Sequence, residues 1–119
     1  MIASLFERLG GNTGITAIAG DLVDNHLRNP AIENRFCETD ISALKNTAAA
    51  FIISGTGGEN LYQGKDMVSV HKGMNISAIE FMAVLDDALS ALEKNNIGQR
   101  EQEEMLFILY SMRSQVVMV

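Results

Sequence analysis

The sequence has no tryptophan, a single cysteine, a single proline and few cations, and each scarcity excludes something. A lone Cys37 cannot close an internal disulfide, which fits a reducing, cytoplasmic setting. No apolar run approaches the roughly 20 residues that span a bilayer, so no membrane span is expected. The first residues, Met1 to Leu9, lack the basic start and long apolar segment of a secretory signal. Nine Lys and Arg against fifteen Asp and Glu give a net charge of -6, and the cations are scattered, which disfavours nucleic acid as a partner. Strand-type alternation of β-branched residues is almost absent. With only Pro30 to interrupt helices, the 119 residues are expected to form one all-α domain over 1–119.

Motifs that carry familiar chemistry are equally sparse. Two histidines and one cysteine, well separated, give no zinc pattern, and no Ser-His-Asp or Cys-His set emerges from spacing. There is no Gly-x-Gly-x-x-Gly and no phosphate-cradling Gly-x-x-x-x-Gly-Lys-Ser/Thr, which disfavours nucleotides. Cys37, beside Phe36, reads as a small buried or half-buried hydrophobe.

What is present is helix-period patterning with clear punctuation. A short helix over 4–9 stops at Gly10-Gly11, a pair suited to a sharp change of direction. Thr13 can cap a helix over 14–28, with Ile15, Ile18, Leu22, Val23, His26 and Leu27 on one side, closed by Asn29-Pro30. A brief turn runs from Pro30 to Phe36, and Thr39-Asp40 offers a cap for a helix over 41–54 with Leu44, Ala48, Phe51 and Ile52 on one face. Residues 55–66 hold four glycines and read as a long functional loop before a short helix over 66–72. Ser77-Ala-Ile-Glu80 forms a capping box for a helix to about Lys94, ended by Asn95-Asn96. Ile79, Phe81, Met82, Val84, Leu85, Ala88, Leu89 and Leu92 cover more than half of it, so it is expected to be gripped on two sides. The last helix starts near Gly98, with Glu101, Glu103 and Glu104 in its first turns and a stripe of Met105, Leu106, Ile108, Leu109, Met112 and Val116.

His71, set among Met67, Val70 and Ile76 after the glycine-rich loop, is the candidate ligand. Apolar helical walls with one neutral imidazole are what haem iron requires. Read from spacing alone, such a histidine is more often a satisfied structural residue than a ligand. The seven methionines fill irregular cores in either case.

The order and spacing of Ser4-Leu-Phe-Glu-Arg-Leu-Gly-Gly11, Phe36 with Thr39-Asp40, Gly57-Gly58, Tyr62-x-Gly64, Met67 and His71-x-Gly73 resemble truncated haemoglobins of the N-type, or group I, class. The likeness runs from Ser4 to about Val117. It implies a shortened globin fold, a two-over-two α-helical sandwich, with His71 as the proximal iron ligand of haem b. Phe36 takes the family's ring-packing position. Met67, Val70, Ile76, Phe81 and Val84 fall at wall positions, although plain core packing accounts for the apolar ones equally well. Tyr62, with Lys65 close by in sequence, falls where the family places a tyrosine near the haem propionates. The expected ligand is a diatomic gas, with oxygen binding or transport the family expectation and a reductase a conceivable partner.

The same likeness exposes departures. The family's distal tyrosine position holds Val23, and its two ligand-facing positions in the next helix hold Leu44 and Ala48, so the distal pocket is expected to be apolar. Asn46 and Thr47 lie beside those positions and neither is a strong iron ligand. His26, near Leu22 and Val23, is either a buried histidine bonded to a backbone carbonyl or a polar group, even a second iron ligand, near the pocket. Without Cys-x-x-Cys-His, attachment is expected to be non-covalent. Two other functions compete: nitric oxide dioxygenase or peroxidase-like catalysis at the same iron, and a globin-like interaction module without haem. The apolar distal positions disfavour catalysis, which needs a retained, polarised ligand or an acid-base group there.

Overall fold

The computed structural model describes residues 3–119, so the first two residues of the domain and signal readings lie outside the described residues. Within it 68% of residues are helical and no strand is present among those described. α1 (Leu5–Arg8) is capped by the Ser4 hydroxyl, which accepts from the Glu7 amide at 3.2 Å. α2 (Gly11–Arg28) starts three residues earlier than expected and without Thr13 as its cap. Gly10, at φ 101°, turns the chain so tightly that the helix resumes at once, and the glycine pair is a corner between two helices rather than a gap.

A 3₁₀ turn, Glu33–Phe36, follows Pro30 and leads to α3 (Ile41–Gly55), where Asp40 Oδ1 accepts from the Ala43 amide at 3.1 Å. Gly58 closes the bend after α3: a Cβ there would lie 2.6 Å from the Phe6 ring and 2.7 Å from Ile53. The Phe6 amide donates to the Thr56 carbonyl at 2.9 Å, docking α1 on the same corner. α4 (Met67–His71) is capped by Asp66, and α5 (Ala78–Lys94) carries the full capping box between Ser77 and Glu80. Asn95 caps its end and Asn96 adopts φ 58°. α6 (Gln99–Tyr110) breaks at Ser111, so the long final helix is two helices, the second being α7 (Arg113–Val116).

α2 packs on α3 and α5, α5 packs on α6, and α4 packs on α7, giving the two-over-two helical fold. The main core joins Leu5, Leu9, Ile15, Ile18, Ala49, Ile52, Ile53, Leu92 and Met105 across α1, α2, α3, α5 and α6. A second cluster of Ile76, Phe81, Leu85 and Val116 lies between α5 and α7. α5 is gripped on two sides, by α2 and α6, but not along its whole apolar stripe: Ile79 is 77% exposed and Met82 is 45% exposed. Periodicity marks an apolar stripe but not whether a neighbour reaches it. The C-terminal tail pins the loop after α4, with the Gly73 amide donating to the Val119 carbonyl and the Met118 amide to the Ile76 carbonyl, both at 3.0 Å.

Candidate functional site

Between the 3₁₀ turn, α3, α4, α5 and the α6–α7 corner lies a cavity of about 430 Å³. Of its eighteen lining residues, fourteen are apolar and only Arg35, Thr39, His71 and Glu80 are not. Phe36, Leu44, Met67, Val70, His71, Ile76, Phe81 and Val84 all line it, bringing together eight candidates read from the sequence. Spacing missed Ile32, Arg35, Thr39, Phe51, Met74, Glu80, Leu85, Leu109, Met112 and Val116. Phe51, Leu85, Leu109, Met112 and Val116 carried an apolar-face signal in the helices but nothing that assigned them to a cavity. Arg35 and Glu80 carried none, because their approach is made across 45 residues of chain.

Asp66 fixes the start of α4, its Oδ1 accepting from the Ser69 amide at 2.7 Å, and this bond holds the Asp66 carboxyl below its ordinary range. One turn on, His71 Nδ1–H donates to the Met67 carbonyl at 2.7 Å. That bond sets the tautomer and the ring direction and leaves the Nε2 lone pair for a ligand. His71 is half-buried and lies on the cavity wall, with Val70 and Met74 flanking it at 42% and 39% exposure. Partly exposed apolar residues at the mouth are what a bound apolar group would cover.

The other candidates stand elsewhere. Leu22 and Ala48 line a separate void of about 80 Å³ whose walls include Phe51 and Leu109, residues shared with the larger cavity. Val23 is fully buried and lines neither space; Thr47 is exposed and also lines neither. Tyr62 packs edge-on against Phe51 with ring centres 5.3 Å apart, and its hydroxyl donates to the Lys65 carbonyl at 2.7 Å. Neither Tyr62 nor Lys65 lines the cavity.

His26 is buried, but its partner is a carboxylate rather than a backbone carbonyl. Nδ1–H donates to Asp87 Oδ2 at 2.7 Å, while the Asn29 side-chain amide donates to Asp87 Oδ1 at 3.1 Å. The imidazole stacks on Phe36, ring centres 5.7 Å apart and planes 12° apart, so it stands behind a cavity wall. A turn of α2 put it on the inward face; only the fold supplied Asp87.

A wider, shallow depression of about 520 Å³ between α1 and α6 has a different character. Arg8 and Glu104 pair across it, which raises the Arg8 pKa and lowers that of Glu104. Its charges are already matched, and it offers no nitrogen ligand. Among the described residues no cluster of three or more His, Cys, Asp or Glu could hold a bare metal ion. Haem iron needs only one protein ligand, and the apolar cavity supplies aromatic rings, aliphatic walls and one oriented imidazole, so the donor set fits.

A helical sandwich built around an apolar cavity with an imidazole on its wall defines a globin-type protein. The model of the bacterial-like globin family matches residues 4–118, and the chain belongs to that family. A group 1 truncated hemoglobin of Tetrahymena pyriformis is 28% identical over 91 residues, covering 76% of this chain and 75% of the relative. The structure of the truncated hemoglobin of that organism in the Fe(III) form matches with a TM-score of 0.94 at 23% identity, covering 98% of this chain and 100% of the other. The 2/2 hemoglobin of Synechococcus sp. PCC 7002, solved in the cyanomet state with covalently attached heme, matches with a TM-score of 0.90 at 22% identity, covering 97% and 98%. The globin family implies haem. No helix among the described residues is long and apolar enough to cross a membrane.

Proposed function

We propose that the whole chain forms one domain that holds haem b without a covalent bond and binds a diatomic gas, with His71 as the axial ligand. The observation that carries this reading is the His71 Nδ1–H bond to Met67 on the wall of the apolar cavity. When bound, haem supplies an iron with a coordination position for a gas. The chain orients Nε2, walls the macrocycle with Phe36, Phe51, Phe81 and aliphatic groups, and limits water around it. Non-covalent attachment is supported by the absence of a Cys-x-x-Cys-His motif; the single Cys37, expected to be a buried or half-buried hydrophobe, is exposed instead.

The α3 wall bears on which gas is favoured. Its two cavity residues, Leu44 and Phe51, carry no hydrogen-bond donor, and neither do Val23 and Ala48 nearby in the fold. A neutral donor to a polarised ligand is worth roughly 0.5–1.5 kcal/mol, so oxygen is held more weakly here than where a donor is present. Carbon monoxide and nitric oxide depend on such a bond less. The same wall offers no acid-base group for nitric oxide dioxygenation or peroxidase-like turnover, which makes reversible gas binding in the cytoplasm the better reading.

Absorption spectra of the wild type and His71→Ala, in ferric, ferrous and carbon monoxide forms after addition of one equivalent of haem, test it. The wild type is expected to take up one haem per chain and to shift its Soret band with carbon monoxide. His71→Ala is expected to retain haem poorly and to lose the imidazole-ligated spectrum. A wild-type chain that takes up no haem, or a variant with an unchanged spectrum, overturns the reading.

A further inference from the structure

We propose that Arg35 is the haem-carboxylate anchor, receiving one propionate at the cavity rim on the two guanidinium N–H groups that Glu80 and Met74 leave open. The inference rests on the haem reading above.

Haem is an amphipathic disc whose two carboxylates must face water or a cation while its apolar body is buried. Among the cavity residues Arg35 is the only cation. Its side chain is 30% exposed, which puts it at the rim, and Thr39 adds a hydroxyl to the same lining.

Arg35 is also held in place before any ligand arrives. Its Nε and Nη2 donate to the two carboxylate oxygens of Glu80, the second at 3.0 Å, and Nη1 donates to the Met74 carbonyl at 3.1 Å. Glu80 is itself fixed, because its Oε1 accepts from the Ser77 amide at 3.1 Å in the capping box of α5. A guanidinium has five N–H donors, and three are engaged here, so two are left for a second carboxylate without breaking an existing bond. Met74 follows His71 by three residues, so this one side chain ties the 3₁₀ turn to the segment that follows the candidate iron ligand.

The alternative anchors are not in position. Tyr62 spends its hydroxyl on the Lys65 carbonyl, and neither residue lines the cavity. With one cation shared between Glu80 and the haem, one propionate is anchored and the other meets no cation from the cavity wall.

The test is transfer of haem to an excess of a haem-scavenging apoglobin, followed by Soret absorbance, for wild type, Arg35→Met and Arg35→Lys. Each is loaded with ferric protoporphyrin IX or with its dimethyl ester, which cannot accept the ionic bond. Arg35→Met is expected to release protoporphyrin IX about tenfold faster than wild type, the scale of one charge-assisted interaction. The ester is expected to leave all three proteins at one common, fast rate, and Arg35→Lys to fall between the other two for the acid. Arg35→Lys decides by the same comparison if Arg35→Met does not fold. Equal acceleration of acid and ester, or no acceleration of either, overturns the anchor while His71-dependent haem uptake stands. Failure of the wild type to take up either porphyrin overturns the haem reading itself.

Discussion

The two apolar clusters of this small protein differ in how completely they close. The one that joins α1, α2, α3, α5 and α6 buries Ile15 and Leu92 almost completely and encloses a void of about 80 Å³. The one around Ile76, Phe81, Leu85 and Val116 borders a cavity of about 430 Å³, and its α4 side rests on a five-residue helix with exposed Val68 and Val70. Leu109 packs against both, so the halves meet at α6. The first half is satisfied by the chain alone, whereas the second has apolar surface for which the chain provides no partner. The closed core and the candidate site are thus built largely from different parts of one sequence.

The sharpest way to break this comparison is to make the same substitution in both halves. Ile→Ala in a packed core costs about 2–5 kcal/mol, and the cost falls where the site is already poorly contacted. Ile15→Ala is expected in the upper part of that range and Ile76→Ala near or below its lower end, measured by urea unfolding of the haem-free protein. Adding haem should raise the cost of Ile76→Ala more than that of Ile15→Ala, because the ligand completes the packing only in the cavity half. Equal costs with and without haem would remove the distinction between the halves.

The closed half and the helix caps were legible in the sequence because their signals are local. Ser77 and Glu80, and Asp40 before α3, sit one turn from the groups they cap, and all three do so, whereas Asp66, read as the first residue of its helix, is the cap of α4, and Thr13 caps nothing. The start of α2 was misplaced because a glycine pair reads as a helix stop, while a tight positive-φ corner lets the next helix begin immediately. Eight cavity residues followed from helix period and from the resemblance to truncated haemoglobins. The polar frame did not: His26 meets Asp87 across 61 residues and Arg35 meets Glu80 across 45, and no local pattern encodes such pairings. The exposure of Ile79 and Met82 was hidden for the same reason, since burial belongs to the neighbour as much as to the helix.

A smaller effect separates the walls of the cavity. α4 contributes an oriented imidazole, and α3 contributes only Leu44 and Phe51. Leu44→Gln places an amide donor on the α3 wall, and stopped-flow ligand displacement is expected to show oxygen leaving about tenfold more slowly. Carbon monoxide release should change far less, because that ligand is weakly polarised. If both gases slow equally, the substitution acts by narrowing the cavity, and the apolar character of the α3 wall is not what sets oxygen retention.

The smallest expected effect lies in the rim pair that stitches the cavity half together. The hydrogen bonds from Arg35, then that from the Ser77 amide, lower the Glu80 pKa from 4.5 to about 2. A carboxyl whose folded-state pKa is depressed adds stability that is fully present above its unfolded value and is lost as pH falls through its folded value. The contribution of Glu80 is therefore complete above pH 4.5 and disappears as pH drops from 4.5 towards 2. Glu80→Gln keeps an oxygen for the Ser77 amide and Arg35 Nη2, removes the charge that faces Arg35, and replaces the acceptor of Arg35 Nε–H by an amide NH2. Because the pair is partly exposed, this substitution is expected to cost no more than about 1 kcal/mol near neutral pH, read as a lower urea midpoint. Wild type and variant should converge as pH approaches 2, while a constant difference across that range would assign the loss to the shape of the side chain rather than to its charge.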